Sequence, residues 1–197
     1  PTMRREFGGC AGNIAYALHL LGGDARIMAT LGEVDGQLYL DRFKSLGLST
    51  EHVRVVPEAY TAQAMITTDL DNNQIAAFHP GAMMQSHLNH ADRAQGIKLA
   101  IVAPDGYEGM VQHTEKLAAA GVPFIFDPGQ GLPLFSAEAL RRAIELANYV
   151  AVNDYEASLV SNKTGWSLEE IAQRVQALIV TRGEHGSRIH HRGQWEE

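Results

Sequence analysis

Apolar residues Ile14, Tyr16, Ala17, Leu18, Leu20 and Leu21 recur at helical spacing, and Gly22-Gly23 follows as a stop, so the pattern predicts a helix over residues 13–21. The run ARIMATLG is short and mostly apolar and reads as a buried strand ending at Gly32. In GQLYLDRFKSLGL the apolar positions Leu38, Leu40, Phe43 and Leu46 restore the helical period, with Gly47 closing the helix. HVRVV then alternates as a strand. The rhythm returns after residue 97: KLAIVAPD, VPFIFDPG, YVAVND and ALIVTRG read as strands. Helical patterns separate them, with Ser136 as one N-cap and Ser167/Glu170 in capping-box spacing. Strand and helix in alternation predict an α/β fold with a largely parallel sheet.

One stretch breaks this rhythm. TAQAMITTDLDNNQIAAFH holds two alternating runs around DLDNN and predicts an antiparallel hairpin. A lone hairpin is marginal in water, so it is expected to join another β segment as a small lid, with TMRREFGG as companion.

Composition narrows the function classes. The 197 residues are 45% hydrophobic and 20% charged, as in ordinary globular domains. A net charge of -7 with 16 dispersed Lys and Arg argues against a nucleic-acid partner. Cys10 is the single cysteine, which excludes an internal disulfide and Cys-rich metal sites and fits the cytoplasm. No apolar run approaches the ~20 residues a membrane helix needs, so no membrane partner is expected. The nine histidines offer only HLNH and HH as pairs, without a third ligand nearby.

The candidate chemistry lies where strands end, because ligands of open α/β sheets sit at the carboxyl ends of the strands. GGCAGN places Gly8, Gly9 and Asn13 ahead of a helix, able to bring backbone N–H groups and an amide to ligand oxygens. It serves equally as a tight turn with Asn13 as the cap. It matches neither G-x-G-x-x-G nor a P-loop. VNDYE sets Asn153 and Glu156 three apart, suited to a water or Mg²⁺ beside phosphate, or to an N-cap with a first-turn acid. VTRGEHG offers Thr181, Gly183 and Gly186 past a strand, as a phosphate-lining loop or a plain turn. Asp105 and Asp127 end strands and could take hydroxyl protons or cap turns.

Taken in order, GGCAGN, TLGEVDG, a hairpin ending HPGA, FDPG, NDYE and VTRGEHG resemble the ribokinase or PfkB family of sugar and nucleoside kinases. The phrases FGGCAGNIAYALHLLGG, FHPGAM and YVAVNDYEA resemble bacterial adenosine kinase-like members. The resemblance implies a ribokinase-like three-layer sandwich with a largely parallel central sheet and a small β lid. It divides the chain into lid segments at about 1–9 and 59–82 and an α/β core at about 10–58 and 83–197. It implies ATP and Mg²⁺ as cofactors and transfer of phosphate to a hydroxymethyl group of a nucleoside, adenosine first, or a sugar. Gly8, Gly9, Asn13 and, most loosely, Asp105 would bind that substrate. Asn153, Thr181, Gly183 and Gly186 would serve ATP, and Glu156 the metal. A homodimer through the lid is a further expectation.

Two departures from the family pattern stand out. GEVDGQ displaces the acid of the family's G-x-D-x-x-G to Asp35. The Gly-Ala-Gly-Asp segment that carries the family's catalytic base is absent and is expected beyond Glu197, as is a first strand before Pro1. The 197 residues alone are therefore expected to be inactive. The alternative is a non-catalytic nucleoside- or sugar-binding module or a truncated remnant of the family, and an NAD-linked oxidoreductase ranks behind it for want of the glycine fingerprint.

Overall fold

The structure, a computed structural model, describes residues 3–197. They divide between Asn89 and His90 into two compact units.

The first unit begins with α1 (Cys10–Leu20), β1 (Arg26–Gly32), α2 (Gln37–Ser45) and β2 (Ser49–Val56). β1 and β2 pair in parallel, with Met28 opposite His52 and Gly32 opposite Val56. Ala15, Ile27, Phe43 and Leu48 form the unit's small core, where burying Ile27 and Phe43 contributes about 2 kcal/mol each. α1 starts three residues earlier than the apolar stripe predicts. Gly9, at φ 95°, is its N-cap, so Asn13 lies in the first turn with its N–H donating to the Gly9 carbonyl at 3.0 Å. The small residues Cys10, Ala11 and Gly12 carry no periodic signal, yet Ala11 packs on the core.

β3 (Gln63–Thr68) and β4 (Gln74–His79) form the antiparallel hairpin, and every residue of both is exposed. Asp69 builds its turn by accepting the N–H groups of Asp71 and Asn73, each at 2.9 Å, while Asn72 takes φ 64°. The expected third strand is not there: among the described residues β3 and β4 pair only with each other, and residues 3–9 form no strand. Pro1 and Thr2 lie outside the described residues. The segment is held by α2 instead, since Phe7 packs edge-on against Tyr39 at 5.2 Å and the Gly8 N–H donates to the Tyr39 hydroxyl at 3.3 Å. The Arg42 guanidinium also lies over the Phe7 ring, 5.5 Å from its centre.

The second unit runs β5 (Ala100–Val102), α3 (Tyr107–Ala119), β6 (Phe124–Phe126), α4 (Ala137–Leu146), β7 (Tyr149–Asn153), α5 (Asp154–Thr164), α6 (Leu168–Ala172), β8 (Ala177–Thr181), β9 (Ser187–His191) and β10 (Gln194–Glu196). Its sheet has the order β10-β9-β8-β7-β6-β5, parallel from β5 to β8 and antiparallel at β9 and β10. Successive right-handed crossovers in one direction place α3, α4 and α5 on the same face, where α3 packs on α4 and α4 on α5. That face buries Val102, Phe124, Phe126, Val150, Val152, Leu178 and Val180. Its caps follow the sequence signals: Ser136 accepts from Ala139, Ser167 and Glu170 form a capping box, and Gly165 closes α5 at φ 71°. Among the described residues no helix is long and apolar enough to cross a membrane.

Candidate functional site

The parallel register of the second unit places β7 and β8 so that their last residues, Asn153 and Thr181, lie directly opposite. Both candidate residues thus stand at the carboxyl end of neighbouring strands. Asn153 is the N-cap of α5: its Oδ1 accepts the Glu156 N–H at 2.8 Å, and Glu156 Oε2 accepts the Asn153 N–H at 2.9 Å. The capping use of this pair is therefore realised. It fixes both side chains at the N-terminal end of α5, where the helix dipole and backbone N–H groups favour anions. Beyond Thr181 the chain turns tightly, with the Arg182 N–H donating to the Gly186 carbonyl at 2.8 Å. Gly183 and Gly186 take φ 56° and 78°, a conformation L side chains avoid, and face open space.

β6 ends one residue before Asp127, whose N–H donates to the Val102 carbonyl at 2.9 Å. Burial raises the Asp127 pKa, the nearby Glu156 carboxylate raises it further, and the Gly129 N–H pulls only partly the other way, leaving it at about 6. Asp127 thus follows β6 and Glu156 lies in the first turn of α5 after the adjacent β7, near enough for the Glu156 charge to act on Asp127. The loop bearing Asp127 is tied to α5 by Lys163, whose ammonium donates to the carbonyls of Leu132, Pro133 and Phe135 at 2.9, 3.0 and 2.7 Å.

Asp105 follows β5 and accepts the Gly106 N–H at 2.8 Å, just ahead of α3. In the first unit, Gly8 and Gly9 are exposed, and a Cβ at either would meet nothing within 4 Å, so a ligand has room at this backbone. Asn13 stands in the first turn of α1, inside the helix rather than capping it.

Asp35, displaced from the family's pattern, has a defined place. Its Oδ1 accepts the Thr61 N–H at 2.8 Å and its Oδ2 the Gln63 side-chain amide at 2.7 Å. Burial pushes its pKa up, but these hydrogen bonds outweigh burial and hold it below the ordinary carboxylate range.

Residues 1–196 match the pfkB family carbohydrate kinase model. The chain belongs to the pfkB family. A nucleoside kinase from Burkholderia thailandensis, solved in complex with inosine, is 76% identical, with a TM-score of 0.96 over 100% of this chain and 65% of that one. A complex described as holding ADP-inosine superposes with a TM-score of 0.95 at 76% identity, over 100% of this chain and 61% of that one. The curated nucleoside kinase of Methanocaldococcus jannaschii is 32% identical over 193 residues, 96% of this chain and 63% of that protein. The chain thus spans less than two thirds of these relatives. The fold is the ribokinase-like α/β fold of these pfkB neighbours.

Against that family, the strand-end acids are the informative addition. Sequence reading singles out Asp127 and Glu156 separately, and only the adjacency of β6 and β7 joins them. The signal was the order of the two strands along the chain. Lys163 carries no motif at all, and its three carbonyl partners are a tertiary fact.

Proposed function

We propose that the protein is an ATP-dependent kinase that phosphorylates a hydroxymethyl group of a nucleoside. The observation that carries this reading is the set Asn153, Glu156 and Thr181, held at the ends of paired strands in a pfkB chain. Thr181, Gly183, Gly186 and Asn153 line the nucleotide phosphates with hydroxyl, amide and backbone donors. Gly8, Gly9, Asn13 and Asp105 bind the nucleoside hydroxyls. The relative bound to inosine supports a purine nucleoside, so inosine joins adenosine as the first substrate to test.

Mg²⁺ fits the acidic pair. Mg²⁺ sites commonly use one or two carboxylates and keep several waters, and no group of three or more His, Cys, Asp or Glu comes together among the described residues. Glu156, one oxygen of which already accepts the Asn153 N–H, and Asp127 would hold the ion, which would offset phosphate charge when bound. Asp127's pKa is raised first by burial and then by the Glu156 charge, and a bound cation would favour its ionised form against both. Transfer also needs a carboxylate to take the hydroxyl proton. We place that base in the Gly-Ala-Gly-Asp segment absent from residues 1–197, so these residues alone do not turn over.

The test has two arms, each with ATP, Mg²⁺ and inosine, adenosine, ribose or fructose. The 197-residue polypeptide, freed of host kinases, gives no phosphorylated product above the blank. The same chain completed with the C-terminal remainder of the Burkholderia thailandensis nucleoside kinase phosphorylates inosine or adenosine. Turnover by the short polypeptide refutes the assignment of the base, and a folded completed chain inert on every nucleoside refutes the kinase reading.

A further inference from the structure

A cavity-forming cluster lies outside the residues assigned above. Val180 of β8 pairs with Arg188 of β9, so the side chains of Val180, Arg182 and Arg188 share the sheet face covered by α5. There Arg182 and Arg188 line a cavity of about 400 Å³ together with Ser158, Ser161 and Asn162 of α5 and Trp195 of β10. This volume is within the usual range of small-molecule sites.

The cluster's polar groups are poorly matched to one another. The Nε atoms of both Arg182 and Arg188 are buried and find no hydrogen-bond acceptor among the described residues. Their shared counter-charge is Glu197, whose Oε1 lies 3.5 Å from Arg182 Nη1 and 3.6 Å from Arg188 Nε. Those separations are ion pairs rather than good hydrogen bonds, and the Glu197 side chain is 68% exposed. The Arg188 guanidinium lies 4.4 Å from the Trp195 ring centre, with the His190 ring edge-on at 5.2 Å, so an apolar wall is fixed beside the two cations.

We propose that this cavity binds an organic phosphate monoester, its phosphate between Arg182 and Arg188 and its organic part against Trp195, with the Glu197 carboxylate as internal competitor. A tetrahedral phosphate offers acceptors to several convergent donors at once, which a single carboxylate oxygen does not. Ser158, Ser161 and Asn162 add hydroxyl and amide groups on the opposite wall. Asp154, on the same wall with Oδ1 accepting the Tyr155 N–H at 2.8 Å, presents an acceptor to a ligand hydroxyl, which favours a sugar phosphate over bare phosphate. Arg182 also joins the cavity to the turn at Gly183–His185, because its Nη2 donates to the His185 carbonyl at 3.2 Å. Occupancy therefore acts on the loop assigned to ATP phosphates, a consequence that rests on the kinase reading while binding itself does not.

The chain has two tryptophans, so Trp166→Phe leaves Trp195 as the sole reporter. The Trp166→Phe protein is titrated with inorganic phosphate and with ribose 5-phosphate at constant ionic strength, by fluorescence and by calorimetry, with chloride as control. The expected result is saturable binding, tighter for ribose 5-phosphate than for phosphate. Affinity falls at least about tenfold in Arg182→Gln and Arg188→Gln, and rises about threefold in Glu197→Gln. Circular dichroism establishes that each variant is folded, and Glu197→Gln tests the site without removing an arginine. No saturable signal, equal affinity for the two probes, or binding unchanged in both arginine variants overturns the proposal.

Discussion

Asp127 shows most directly what strand adjacency does to a single side chain. Its pKa of about 6 lies above the ordinary carboxylate value of 3.8, so the folded state holds the proton more tightly than the unfolded chain. A raised carboxylate favours folding at pH below 3.8, and that contribution is lost as pH rises through about 6. At neutral pH the ionised Asp127 is therefore a destabilising charge beside Glu156. Asp127→Asn is expected to stabilise the chain at pH 7.5 in chelator-treated buffer by about 1 kcal/mol, a figure kept small because the group is only partly buried and is screened by solvent. The gain should vanish at pH 4, where wild-type Asp127 is already protonated. Calorimetric melting at the two pH values checks this, and equal effects at both would show that charge is not the cause.

At the scale of elements, the hairpin β3–β4 separates what sequence could reveal from what it could not. The DLDNN turn and the alternation on either side were enough to place both strands, because turn chemistry is local. Its anchorage was not legible, since Asp35 reaches Thr61 and Gln63 across 26 and 28 residues of chain. Local pattern failed for the same reason at residues 3–9, where tertiary contacts of Phe7 and Gly8 with Tyr39 replace the expected strand pairing. Likewise Asn153 and Glu156 announced themselves by spacing, whereas the approach of Asp127 required knowing that β6 and β7 are neighbours. The Asp35 anchor makes its own prediction. Asp35→Asn keeps the shape but removes the charge and leaves one acceptor oxygen for the two donors of Thr61 and Gln63, so exchange of the Thr61 amide should accelerate about tenfold while core amides of β8 stay protected. Because the folded pKa is lowered, wild type should lose this protection only as pH falls below 3.8. Unchanged Thr61 exchange in a folded Asp35→Asn chain would remove Asp35 from the anchor.

For the molecule as a whole, the second unit poses a solvation problem. Parallel sheets are almost always covered on both faces, yet α3, α4 and α5 share one face of this sheet. On the other face Ile101 lies opposite Ile125 and Ile125 opposite Tyr149, while Ala151, two residues along β7 from Tyr149, lies opposite Ile179 and Ile179 opposite Ile189. Ile101 is 42% exposed and Ile189 37%. A contiguous apolar band of this kind drives association more strongly than isolated surface residues do. A net charge of -7 opposes that tendency only weakly, because salt screens it within about 10 Å. The 197-residue polypeptide is accordingly expected to bind the dye ANS and to self-associate in a concentration-dependent way during sedimentation. Ile101→Thr with Ile189→Thr replaces two exposed isoleucines by β-branched polar residues, which keeps strand propensity. The double variant should bind markedly less dye and sediment as a smaller species, with a stability change within about 1 kcal/mol because neither side chain is buried. A wild-type polypeptide that stays monomeric and dye-free at high concentration would show that this face is satisfied as it stands.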